Sequence, residues 1–167
     1  MNNTFKISTN KCDRIITIKA CNKESDGQFI RSLTKQNCYD YLNNTIGWDE
    51  DRHLQEPKFP ERYLMLFDED TCIGFLSLNE RSDCLYIHTL QLIKPYRRQG
   101  IGTKLLGFIK NIAITKAKDK IQLTVINGNP AKSLYRRNGF KIIEDKDCCV
   151  LMEKTIQTRS QNLARRI

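Results

Sequence analysis

A chain of 167 residues, 40% hydrophobic and 28% charged, holds enough apolar material for one domain with a proper core and is too short for two comfortable ones. Its net charge of +9 and pI near 9.3 leave nucleic acid, an acidic substrate or an anionic cofactor open as partners. No apolar run approaches the roughly 18 residues of a membrane span, and the start, Met1-Asn2-Asn3-Thr4-Phe5-Lys6, lacks the apolar centre of a signal peptide, so the expectation is a cytoplasmic protein with no membrane partner.

Taken in chain order, residues 15–20 predict a first strand. Residues 25–43 have helical spacing, with Phe29, Leu33, Tyr39 and Leu42 recurring among polar neighbours. Gly47, Pro57 and Pro60 bracket an irregular or briefly helical stretch that contains Trp48, Asp49 and Glu50. Residues 63–67 and 72–78 read as two strands joined in a hairpin by Asp68-Glu69-Asp70. A third long strand covers 85–92. Ile101, Leu105, Phe108, Ile109 and Ile112 then fall on one face of a helix. A strand over 121–125 follows, then a short helix from Pro130 to about Asn138 that Gly139 ends. Two closing strands cover 141–143 and 149–152. No repeat or Ser/Gly linker divides the chain. Residues 1–155 are expected to be one α/β domain, a mixed and mostly antiparallel sheet of six or seven strands flanked by helices. Residues 156–167, with Arg159, Arg165 and Arg166, read as a basic tail.

Seven cysteines occur without a C-x-x-C pair, and there are only two histidines, so no metal site is expected. The odd number and the scatter suit reduced thiols in a cytosol. Cys148-Cys149 reads as a piece of strand, and His53 as a surface residue.

The central pattern is a strand that leads through Arg97-Arg98-Gln99-Gly100-Ile101-Gly102 into an amphipathic helix. Glycines let successive N–H groups converge, and a helix start adds unpaired N–H groups and partial positive charge. With Lys94, Arg97, Arg98 and Lys104 around it, such a turn suits a pyrophosphate. Alone it reads equally as a tight strand-to-helix turn. It is not a P-loop, although Thr103-Lys104 follows the second glycine. Leu105 stands where a dinucleotide fingerprint would have its third glycine.

Farther along, after a strand, comes Asn129-Pro130-Ala131-Lys132-Ser133-Leu134-Tyr135-Arg136-Arg137-Asn138-Gly139-Phe140. Residues 90–102 resemble the acetyl-CoA motif of the GNAT acetyltransferases, [RQ]-x-x-G-x-[GA] after a strand, and this second run resembles that family's next motif. The resemblance covers roughly residues 63–154, and Trp48-Asp49-Glu50 is reminiscent of a subgroup of bacterial members. It implies a GNAT-like sheet whose strands splay around the CoA site, and acetyl-CoA as acetyl donor. Backbone groups of Leu90, Gln91 and Leu92 would hold the pantetheine arm. Arg97, Arg98, Gln99, Gly100, Ile101, Gly102, Thr103 and Lys104 would surround the pyrophosphate, and Asn129 would contact the cofactor arm. The phenol of Tyr135 would protonate the departing thiolate, unless this tyrosine only packs its helix on the sheet.

The implied reaction is direct attack of an amine on the thioester. A lysine-like amine, with a pKa near 10, costs on the order of 4 kcal/mol to deprotonate at pH 7. N-terminal acetyltransferases of ribosomal proteins carry a glutamate on the strand before the asparagine motif, where this chain has Thr124, which cannot be a base. Glu80 and His88 are the other candidates, though Glu80 reads equally as a surface turn residue and His88 as a hydrogen-bonded structural one. Asp49 and Glu50 could bind an ammonium or simply open a helix. The acceptor is expected to be an amine on a small molecule or a protein. Its pocket would use the first helix, residues 48–61 and the last strands, and a homodimer is compatible with all of this. A CoA-binding regulatory module without turnover is the alternative. The basic segments lack interleaved aromatics, which argues against nucleic acid.

Overall fold

In the computed structural model, which describes residues 3–8, 13–21, 23–53 and 62–156, the contacts divide the chain into two compact units. One comprises residues 1–78 and 88–102, the other residues 79–87 and 103–167. The proline pair Pro57 and Pro60, and nearly all of the expected basic tail, lie outside the described residues.

The first unit is built on antiparallel pairing. Strands β1 (Asn3–Ser8), β2 (Asp13–Ala20), β3 (Tyr63–Asp68) and β4 (Thr71–Glu80) pair in sequence order. The β3–β4 hairpin turns at Glu69, whose φ is +53°, and a bulge shifts the register between Leu66 and Phe67. Strand β5 (Leu85–Leu92) follows β4 in the sheet. Helix α1 (Lys23–Thr45) packs Ile30 and Leu33 against Met65 of β3 and Phe75 of β4. Each such side chain contributes about 1.5–3 kcal/mol by leaving water. The buried line of α1 runs through Ile30, Leu33, Cys38 and Leu42. Tyr39, expected on that face, is instead 41% exposed and rests its ring 5.3 Å from Trp48, just ahead of the single turn α2 (Glu50–His53).

The second unit contains the start of β5, paired in parallel over Leu85, Tyr86 and Ile87 with Ile121, Gln122 and Leu123 of β6 (Lys120–Ile126). Parallel neighbours need a crossover, and α3 (Ile101–Thr115) supplies it, burying Leu105, Leu106, Ile109 and Ala113. Helix α4 (Ala131–Arg137) ends as read, with Gly139 at φ +86°. Strand β8 (Cys149–Thr155) pairs antiparallel with both β6 and β7 (Lys141–Asp145). Ile156 is fully buried, and its N–H donates to Asp119 O at 2.6 Å.

The expected α/β architecture of a mixed, mostly antiparallel sheet with helices is present. All seven strands read from the sequence occur, and β1 adds an eighth. Among the described residues no helix is long and apolar enough to cross a membrane.

Candidate active site

The glycine loop belongs with β5 and α1. After a 3-10 turn over Lys94–Tyr96, the chain passes through two left-handed residues, Arg98 at φ +61° and Gly100 at φ +84°. A Cβ on Gly100 would meet no protein atom within 4 Å, so it is φ that demands glycine there. A left-handed arginine costs roughly 1–2 kcal/mol, an expense found where backbone must be aimed. Arg98 and Lys104 are exposed, and the first turn of α3 carries no acid to oppose an anion.

Arg97 behaves differently from its neighbours. Its Nε donates to Leu92 O at 3.0 Å and its Nη2 donates to Asn37 Oδ1 on α1. Asn37 Nδ2 in turn donates to Gln91 Oε1 at 2.8 Å and to Leu92 O at 3.2 Å. Gln91 Nε2 reaches Thr89 Oγ1 at 3.1 Å and Cys38 Sγ at 3.3 Å. The guanidinium is thus turned onto β5 and α1, and it fixes the shape of the loop. Gln99 is likewise occupied, donating to Pro95 O at 2.6 Å. Backbone groups of Leu90, Gln91 and Leu92 sit at the end of β5 that feeds this loop. His88 is exposed on the same strand.

The remaining residues, Glu50 apart, lie in the second unit. Asn129 Oδ1 accepts from the N–H of Ala131 at 2.9 Å, capping α4. Tyr135 is 7% exposed, edge-on to Phe140 at 5.7 Å. Its hydroxyl has no hydrogen-bonding partner among the described residues, and burial alone pushes the phenol up to about 12. Thr103 Oγ1 is 3.4 Å from Asn138 Nδ2. Glu80 ends β4 held by Lys116 and, at 3.5 Å, by Lys118. The hydrogen bond from Lys116 is the main cause that holds its carboxyl below the usual range. Glu50 is similarly tied to Lys35 and lowered by it.

A cavity of about 200 Å³ opens in this same unit, against strands β5 to β8. Tyr86 and Thr124 line it, and the Tyr86 hydroxyl donates to Thr124 Oγ1 at 2.8 Å. Cys149 and Leu151 of β8 add apolar surface, and Arg81, Glu144 and Lys146 add charge. Neither Tyr86 nor Asn37 belongs to a motif visible in the sequence. Tyr86 carried one signal, a large polar-tipped residue between the buried Leu85 and Ile87 of an alternating strand. Asn37 carried none, because its partners are 54 and more residues away.

The described cysteines, Cys21, Cys38, Cys72, Cys84, Cys148 and Cys149, are free thiols. No group of three or more His, Cys, Asp or Glu among the described residues could hold a metal ion.

A family model described as "Acetyltransferase (GNAT) family" matches residues 30–140. N-alpha-acetyltransferase 50 of Danio rerio is 47% identical over 64 residues, 37% of this chain and 38% of that protein. Probable N-acetyltransferase san of Drosophila melanogaster is 45% identical over 65 residues, 38% of this chain and 35% of that protein. The matched stretches therefore span little more than a third of either relative's length. Among solved structures, the PaiA N-acetyltransferase of Thermoplasma acidophilum in complex with coenzyme A superposes with a TM-score of 0.71 at 22% identity, over 84% of this chain and 98% of that one. A chain of the NatC complex bound to Gag peptide and CoA gives 0.62 at 18% identity, over 85% and 99%. At these identities the structural likeness establishes the fold.

Proposed function

Because the chain belongs to the acetyltransferase (GNAT) family, we propose that it is an acetyl-CoA-dependent N-acetyltransferase whose acceptor is the α-amino group of a peptide or protein. The observation that carries the cofactor half is the loop from Arg97 to Gly102, with its left-handed Arg98 and Gly100, exposed cations and acid-free helix start. These features suit a pyrophosphate. Bound acetyl-CoA would supply an acetyl group activated as a thioester, so that attack of an amine on its carbonyl forms the amide C–N bond, breaks the C–S bond and releases the free thiol.

Around that chemistry the chain's own residues have separate tasks. Backbone groups of Leu90, Gln91 and Leu92 hold and orient the cofactor arm, Asn129 adds a side-chain amide, and N–H groups from Arg98 to Thr103 hold the phosphates. Arg97, bonded to Asn37 and Leu92, keeps the loop in shape. The Tyr135 phenol, pushed up to about 12, keeps its proton at neutral pH and can donate it toward sulfur.

The acceptor assignment rests on proton cost. Glu80 is tied up by two lysines with its carboxyl held low, which makes it a poor proton acceptor, and Thr124 is already bonded to Tyr86. That leaves His88 as the exposed proton acceptor read from the sequence. Deprotonating a lysine amine at pH 7 costs about 4 kcal/mol, whereas an α-amine costs about 1 kcal/mol. Glu144, which lines the cavity, is paired with Lys146 at 3.3 Å, and a site whose carboxylates are all paired with lysines suits the α-amine. The names of the relatives, an N-alpha-acetyltransferase among them, support the same class. The cavity at Tyr86 and Thr124 is the proposed seat of the acceptor. Free thiols support a cytoplasmic location.

Thiol release from acetyl-CoA with two matched peptides tests this reading. One peptide has a free amino terminus and no lysine, and the other has a blocked terminus and one lysine. Turnover at least about tenfold faster on the free terminus is expected from the difference in amine pKa. Turnover on lysine alone contradicts the acceptor class. Cofactor binding without turnover on either peptide points to the regulatory module instead.

A further inference from the structure

The acceptor cavity has an unbalanced charge. Lys146 and Glu144 neutralise one another at 3.3 Å. Arg81 has no carboxylate partner among the described residues and lies over the ring of Tyr86, 3.7 Å from its centroid. Both acids beside it in sequence are taken elsewhere. Glu80 is paired with Lys116 and Lys118, and Asp83 with Lys120 at 2.9 Å. The cavity therefore presents one net positive charge, on a guanidinium held flat by an aromatic face. A flat guanidinium retains a planar fork of N–H donors that matches a carboxylate in two-point contact. The other lining is of mixed character, the hydroxyls of Tyr86 and Thr124 and the apolar surface of Leu151.

We propose that this cavity selects acceptors bearing a carboxylate close to the reacting amine, and that Arg81 is the residue that reads it. The inference rests on the acetyltransferase reading and deepens it by naming the acceptor's second recognition group. The amine enters with its own positive charge, which Arg81 opposes, so a nearby carboxylate makes entry electrostatically even. A polyamine or a lysine-rich terminus meets repulsion in the same place. The carboxylate can come from an aspartate or glutamate side chain near a peptide's amino terminus, or from the main-chain carboxylate of a free amino acid.

The experiment compares kcat/KM, with saturating acetyl-CoA, for three peptides identical except for glutamate, glutamine or lysine at the second position. A free amino acid and its amide separate the two sources of carboxylate. The same panel is run on Arg81→Gln and Arg81→Glu, substitutions at an exposed position. The wild type is expected to prefer glutamate over glutamine roughly fivefold, the range for an ion pair open to solvent, with lysine slowest. Arg81→Gln should flatten that order and Arg81→Glu should invert it. A wild type indifferent to charge, or an order unchanged in Arg81→Glu, overturns the proposal. If no amine is acetylated, the acetyltransferase reading fails, and calorimetric binding of the same peptides still decides this one. Equal affinity for the glutamate and lysine peptides then overturns it, and tighter glutamate binding that Arg81→Glu reverses sustains it.

Discussion

Tyr135 has a packing role and a proposed proton-donating role, which substitution can separate. Its ring fills space against Phe140, and its hydroxyl stays without a hydrogen-bonding partner among the described residues. Replacing it with phenylalanine keeps the packing and removes only the proton. Tyr135→Phe is expected to lower kcat by about 100-fold, the low end of general acid contributions, while the Kd for acetyl-CoA changes less than about twofold. Steady-state kinetics and calorimetry on the same preparation check this. The phenol also leaves a signature in stability. Its pKa rises from 10.0 to about 12 on folding, so the folded state holds the proton more tightly. The stability tied to that proton is fully present below pH 10 and is lost as pH rises through 12. Between those limits the wild type should lose stability relative to Tyr135→Phe, and denaturant melts at several alkaline pH values measure the gap. At this scale the sequence was informative only where a motif named the residue. Tyr135 and Asn129 stand out as candidates through their spacing from Gly139 and Phe140. The Arg97–Asn37 bond and the Tyr86–Thr124 bond were not legible, because each joins residues that only the fold brings together.

Among the elements, β5 supplies Leu90, Gln91 and Leu92 to the proposed cofactor contacts, and its position depends on its neighbour β4. A Cβ at Gly74 would stand 2.1 Å from Gln91 O and 3.0 Å from the Leu92 side chain. Glycine is required there by close approach of two backbones, with no demand on φ. Gly74→Ala must push β5 away and disturb Gln91 and Leu92, the residues that Asn37 clamps. The expected cost is about 1–3 kcal/mol, as for other overpacked interiors, seen as a melting temperature lower by roughly 2–12 °C. Acetyl-CoA affinity should fall with it, whereas Gly107→Ala, with nothing within 4 Å of the new methyl, should leave affinity intact. The elements themselves were well read from period and punctuation. The α3 face, the hairpin at Asp68-Glu69-Asp70 and the glycine that closes α4 follow from local chemistry alone. Strand β1 escaped because its sequence, NTFKIS, is short and mostly polar, and its pairing with β2 is what makes it a strand. Tyr39 was assigned to the wrong face because helical spacing admits it, while contact with Trp48 gives its ring a place at the surface.

For the whole molecule, family membership rests on a match over residues 30–140, which takes in both paired motifs. The acceptor was illegible at this scale for a physical reason. The proposed cofactor contacts are backbone N–H groups at fixed spacing, which leave a motif, whereas the proposed acceptor cavity is lined by side chains gathered largely from β5, β6, β7 and β8, which leave none. Part of the net charge of +9 lies around the loop and in the C-terminal segment of the sequence, and it does not by itself name a ligand. The central claim, that the loop after β5 is an acetyl-CoA site, is tested most directly by calorimetric titration of the full chain with acetyl-CoA. The account predicts one site per chain, with affinity in the micromolar range that weakens as salt is raised. No detectable heat and no shift in melting temperature at millimolar acetyl-CoA would contradict it.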